Sequence, residues 1–223
     1  MALGNAKLLR WALLAVAAVL AALSGLWLVV SQVSSPQGAP DVEATYLEGG
    51  RPIADFQLRD HRGGAFTPQR LQGRWTLLTF GHTRSPEATP ETLGLLAVTY
   101  RILAEAEVAD GLQVAMVTVN PGEDSARRLA SYLPEFHPDF VGVTGEAAQI
   151  RRLARSMGIR YSEPGTEARP IQVQPARVIA LLDPRGQLLA LFTPPHHPEL
   201  LARDVQRIRA HARGGWLHSL GGR

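Results

Sequence analysis

The sequence predicts an α/β domain, a central mixed sheet flanked by helices, preceded by an N-terminal transmembrane helix. Three observations carry this. Short apolar, β-branched runs alternate with stretches of helical spacing: residues 75–80 precede 91–109, and 112–119 precede a helix through Leu129, Tyr132 and Leu133. Residues 177–182 and 187–192 flank the turn Asp183-Pro184-Arg185-Gly186, a hairpin signal. Residues 11–30 are an uncharged run of 20 residues, about the length that crosses the hydrocarbon of a bilayer as a helix.

Taken in order, residues 1–10 carry Lys7 and Arg10 ahead of that run, and no charge follows until Asp41. The asymmetry puts the N-terminus in the cytoplasm and the domain outside it. The length of the run and its end in Trp27-Leu28-Val29-Val30 favour an uncleaved anchor over a cleaved signal peptide. Residues 31–49, rich in Ser, Pro, Gly and Ala at their start, read as a flexible tether. The folded domain is expected over 50–213, with 214–223 as a tail.

Within the domain, Asp55-Phe56-Gln57-Leu58 alternates as a short strand, and Asp60-His61-Arg62-Gly63-Gly64 makes a turn. Trp75-Thr76-Leu77-Leu78-Thr79-Phe80 reads as a buried strand. The helix after it has Leu93, Leu96, Ala97, Tyr100 and Leu103 on one face; Thr89 is its expected N-cap and Pro90 its first residue. Residues 112–119 are a second buried strand, Asp124 or Ser125 caps the next helix, and Ile150, Leu153, Ala154 and Met157 mark another that closes at Gly158. Residues 162–170 are a polar loop. After the hairpin, Pro198 opens a last helix with Leu201, Val205 and Ile208 on one face.

Composition narrows the function. With 45% hydrophobic and 19% charged residues the chain is not disordered. It has no cysteine, which excludes thiol–disulfide exchange, thiol peroxidases and thiolate metal ligands. The net charge is +3 and Lys7 is the only lysine. The arginines are scattered and not interleaved with aromatics, which argues against nucleic acid. Beyond Ala190 arginine exceeds acidic residues by three, a mild basic surplus suited to an anionic lipid or an acidic partner.

The stretch Gly81-His82-Thr83-Arg84-Ser85-Pro86-Glu87-Ala88-Thr89-Pro90, between a strand and a helix, resembles the motif Gly-aromatic-Thr-x-Cys-Pro-x-x-Cys-Pro of the SCO/SenC family. The opening phrase from Asp55 to Trp75 and the stretch Phe136-His137-Pro138-Asp139-Phe140-Val141-Gly142-Val143-Thr144-Gly145 are similar to that family too. The resemblance runs from about Ile53 to Arg209. It implies a thioredoxin-like fold and a membrane-anchored protein that helps assemble the copper centre of cytochrome c oxidase. It also implies three copper ligands, at positions where this chain has Ser85, Thr89 and Pro175, the last counted from Pro184.

Hydroxyls are poor ligands for Cu(I), and proline offers no side-chain donor. The inherited copper site is therefore expected to be lost, with no cofactor and no catalysis. Ser85 lacks the surroundings of a nucleophile elbow. The residues expected to act are those of a contact loop: His82, Arg84, Ser85, Pro86, Glu87, Thr89 and Pro90. The partners would be a cytochrome c oxidase subunit or its assembly factors, at the inner membrane, with the domain in the periplasm. Two alternatives stay open. One is a copper chaperone with relocated ligands drawn from His82, His137, His196 and His197; the other is a thioredoxin-like binding module unrelated to the oxidase. Met116 and Met157 are expected in the core.

Overall fold

The computed structural model describes residues 39–161 and 177–221. The chain order is β1 (Thr45–Pro52), β2 (Leu58–Asp60), β3 (Ala65–Phe66), α1 (Pro68–Leu71), β4 (Trp75–Gly81), α2 (Ala88–Glu105), β5 (Leu112–Thr118) and α3 (Ala126–Tyr132). A 3₁₀ turn (Leu133–Glu135), β6 (Val141–Thr144), α4 (Ala147–Ser156), β7 (Ile179–Leu182), β8 (Gln187–Phe192) and α5 (Pro198–Gly221) follow. Pro40–Ala210 form one compact unit, which holds the sheet, the core and the site; the stretch of α5 from His211 belongs to a second.

All eight strands join one sheet in the order β1-β8-β7-β4-β5-β6-β2-β3. β4, β5 and β6 run parallel; β7 pairs antiparallel with β4, β8 with β7, β1 with β8 and, on the other side, β2 with β6. β4 and β5 are buried along their whole length, as their continuous apolar and β-branched composition requires of central strands. Leu78, Phe80, Ala115 and Val117 pack with Phe56, Phe66, Ile150, Leu153 and Met157 in one core. Met116 is buried as well, so both methionines lie where expected.

Four boundaries differ from those read in the sequence. The sheet begins at Thr45, inside the expected tether: Thr45 and Tyr46 pair with Leu191 and Ala190, and Arg51 and Pro52 with Leu188 and Gln187. Gly49 and Gly50, both at φ +75°, absorb the register shift between these pairs, so the glycines that suggested a tether belong to an irregular edge strand. Phe56 and Leu58 alternate in burial as expected, but ladder pairing starts only at Leu58, because Gln57 N–H donates to the Gln149 side chain. α2 starts at Ala88, two residues before the expected Pro90. α5 continues to Gly221, through the expected tail and across Gly214 and Gly215, glycines that each cost about 1 kcal/mol in a helix interior.

Among the described residues no helix is long and apolar enough to cross a membrane. The run at 11–30, the 162–170 loop and Pro175 lie outside those residues.

Candidate functional site

Gly81 ends β4 opposite Thr118 of β5, at the carboxyl end of the parallel strands. A Cβ here would sit 2.8 Å from both Cγ2 and Oγ1 of Thr89 and 3.3 Å from Met116 Sδ, so the first turn of α2 rests directly on the strand end. Between them the chain turns tightly, with Ser85 N–H donating to the His82 carbonyl at 3.1 Å. Ser85 Oγ accepts from Thr89 N–H, and Thr89 Oγ1 accepts from His82 N–H, both at 3.2 Å. Each hydroxyl thus holds one of the loop's own amides. Glu87, at the N-cap position, makes no side-chain capping bond, and the Ser85 hydroxyl serves a first-turn amide in its place. Thr89 is therefore not the cap but a buried residue inside the first turn. Pro90 still falls where a missing N–H costs nothing.

A buried carboxylate holds the loop from below. Asp124 Oδ2 accepts from Thr83 N–H at 3.0 Å and from the Thr118 hydroxyl at 2.7 Å, and Oδ1 accepts from the Thr83 hydroxyl at 2.6 Å. The Arg128 guanidinium lies 3.8 Å from Oδ1 and donates to Thr83 Oγ1. The Asp124 carbonyl accepts from the Thr144 hydroxyl of β6 at 3.1 Å. Asp124 is 1% exposed, and a charge so placed is tolerable because several donors converge on it. Burial first, then Glu135 and Asp124, push the nearby Tyr132 hydroxyl above its usual pKa.

Above this support, Arg84, Pro86 and Glu87 are exposed, and Arg84 pairs with Glu123 at 3.0 Å. On the α2 side, Glu91 pairs with Arg177 at 2.9 Å, and the Arg177 carbonyl lies 2.7 Å from His196 Nε2. Glu91 and Arg177 thus link the first turn of α2 to His196.

The histidines do not meet at one point. His137 packs between Tyr100 and Phe140 and accepts from Asp139 N–H, while His196 is held by the Arg177 carbonyl. His82 Nδ1 is buried and makes no hydrogen bond among the described residues. No group of three or more His, Asp or Glu side chains among the described residues is placed to hold a metal ion. Ser85 and Thr89 offer neutral hydroxyls already engaged with backbone amides, a donor set that does not fit a soft Cu(I) ion.

Sequence reasoning missed the pinning role of Asp124, Thr118 and Arg128. Asp124 stood out only as one of two adjacent helix caps. The cap is Ser125, whose Oγ accepts from Arg128 N–H, and this frees Asp124 to turn inward. The usable signal was two capping residues in a row, one of them redundant.

The family model described as SCO1/SenC matches residues 45–210. Among curated proteins, the chain is 32% identical over 204 residues to the mitochondrial protein SCO2 homolog of Bos taurus, covering 91% of this chain and 76% of that one. It is 31% identical over 159 residues to a putative copper-binding protein of Stutzerimonas stutzeri, covering 71% and 77%. Among solved structures, it is 28% identical to Arabidopsis thaliana ScoI with copper bound, with a TM-score of 0.62, covering 71% of this chain and 98% of that one. The match across the whole sheet and the site loop leads to one conclusion: this chain belongs to the SCO1/SenC family.

Proposed function

We propose that this protein is a membrane-anchored SCO/SenC-type accessory factor. It serves assembly of the copper centre of cytochrome c oxidase by binding partner proteins, and it neither carries copper nor catalyses a reaction. In this reading residues 11–30 span the inner membrane, the N-terminus is cytoplasmic and the domain faces the periplasm. The oxidase link rests on the family; the mode of action rests on the loop.

One observation carries the reading. Ser85 and Thr89, at the positions the family motif gives to cysteine, use their hydroxyls to fix the loop's own backbone, while Asp124 holds the same loop rigid from beneath. A loop kept in shape without donors for a soft metal suits a contact surface, because pre-organisation lowers the entropic cost of binding. Arg84, Pro86 and Glu87 are the exposed side chains it would present.

The test is gene deletion followed by complementation. Loss of oxidase activity and oxidase copper on deletion, restored by the native gene but not by R84E/E87K, is the expected result. Normal oxidase activity and copper content in the deletion strain would refute the assembly role. An anaerobic titration with Cu(I) against a chelator decides the second half of the reading, since one equivalent held tightly would make the protein a carrier.

A further inference from the structure

Three of the arginines behind the basic surplus near the C-terminus are already engaged. Arg203 binds Glu43 and Asp204, Arg207 binds Asp41, and Arg209 is buried against the carbonyls of Val108 and Asp110 beneath Trp75. A denser run of arginine lies on α4. α4 buries Ile150, Leu153 and Ala154 on one side. Its other side and the following turn carry Arg151, Arg152, Arg155 and Arg160, with no acidic residue from Ala147 to Tyr161. Arg152, Arg155 and Arg160 are exposed and make no ion pair among the described residues.

Arg151, Arg155 and Arg160 line a surface hollow of about 640 Å³ with Gly158, Ile159 and Tyr161. Arg151 and Arg155 lie close enough to the Tyr161 hydroxyl to oppose the rise in its pKa that burial causes. From β1, Arg51 reaches over the end of α4, its Nη2 donating to the Ser156 carbonyl at 2.9 Å.

We propose that this arginine face, Arg151, Arg152, Arg155 and Arg160 with Arg51 beside them, docks the domain on the phosphate headgroups of an anionic bilayer. Guanidinium forks match phosphate oxygens, and several on one face add in attraction to a charged leaflet. The proposal rests on the reading of 11–30 as an anchor, which is also what favours lipid over an acidic protein. Only 10 residues, 31–40, separate that run from Asp41, which Arg207 holds to the domain. Fully extended they reach about 35 Å, and as a coil about 18 Å. The anchor thus keeps the domain close to a headgroup surface, whereas an acidic partner must first arrive.

The full chain in nanodiscs, phosphatidylcholine alone against phosphatidylcholine with one third phosphatidylglycerol, tests this by arginine-selective labelling read by mass spectrometry. Labelling of Arg155 and Arg160 should fall several-fold in the anionic discs and recover in high salt, while exposed Arg70 and Arg101 stay unchanged. In R152Q/R155Q/R160Q, hydrogen exchange over 147–161 should no longer differ between the two discs. Equal labelling in both discs overturns the proposal. Equal protection by inorganic phosphate, or protection by a soluble acidic polypeptide but not by lipid, overturns it in favour of a small-anion or protein site. A chain that does not enter the discs refutes the anchor instead. Binding of that chain to preformed phosphatidylglycerol vesicles then decides the arginine face by itself.

Discussion

Gly81 is held to glycine by crowding, and the nearest crowding atoms belong to Thr89 in the first turn of α2. An added Cβ would press on Thr89 Cγ2 and Oγ1 at 2.8 Å. Gly81→Ala should therefore cost about 1–3 kcal/mol, as overpacking of a filled interior does. Thr89→Ala should cost about 1–2 kcal/mol through its lost bond to His82 N–H. The double variant should be less destabilised than the two together, because removing Thr89 Cγ2 and Oγ1 makes room for the new methyl. Urea unfolding of the four proteins gives the coupling, and strict additivity would mean that the strand end and the helix do not share this space. His61 carries a second prediction. Its Nδ1 accepts from Gly142 N–H at 2.9 Å, and burial, followed by Arg62, holds its pKa below the usual value against the opposing pull of Asp60. The fold thus favours the neutral ring. The contribution is complete above the unfolded pKa of about 6.5, where both states are neutral, and is lost as pH falls from there toward the folded pKa. The urea midpoint should drop between about pH 7.5 and pH 5.5, and drop less in H61N, which keeps an acceptor but does not titrate. Equal slopes would remove His61 from the account.

At the scale of elements, the site is a joint between the end of β4, the start of α2 and the β5–α3 connection, and Asp124 closes it. Asp124→Ala strips the acceptor from Thr83 N–H and from the hydroxyls of Thr83 and Thr118. With orphaned donors at 1–3 kcal/mol each and Thr83 half open to water, a loss of about 3 kcal/mol is expected. Hydrogen exchange should then rise over 82–90 well before it rises in β4, and uniform exchange would mean that the loop stands without this support. Such a joint was only partly legible in the sequence. β4, β5 and the β7–β8 hairpin could be read because a strand buried on both faces is continuously apolar and a tight turn needs Asp-Pro-x-Gly. The loop was placed correctly between strand and helix for the same reason. β1 escaped because its signal is broken by Gly49 and Gly50, and an edge strand with one buried neighbour has little pattern of its own. The α2 start slipped by two residues because a threonine before a proline looks like a cap, whereas Ser85 reaches across to supply that bond. The pinning of Thr83 by Asp124 joins residues 41 apart in the chain, so the doubled cap marks Asp124 as spare but does not name its partner.

Across the whole molecule, the chain matches the SCO1/SenC family model over residues 45–210, and at the two places where the motif resemblance sets cysteines it carries the hydroxyls of Ser85 and Thr89. If only the donors changed, restoring them should restore the chemistry. Ser85 and Thr89 lie on either side of the α2 start and are linked by the Thr89 N–H to Ser85 Oγ bond, so two thiolates placed there share one short loop. Cysteine is close in size to both residues, and a sulfur in place of Ser85 Oγ still accepts weakly from the amide. S85C/T89C should therefore fold with a stability loss of about 1–2 kcal/mol, from the weakened loop bonds. It should hold Cu(I) against a competing chelator, because soft thiolates suit that ion where hydroxyls do not. The native protein in the same anaerobic titration should not compete. A native protein that competes would sink the reading of a contact protein without copper. A folded double-cysteine variant that fails to compete would locate the loss in the shape of the loop or in a third ligand, rather than in these two side chains.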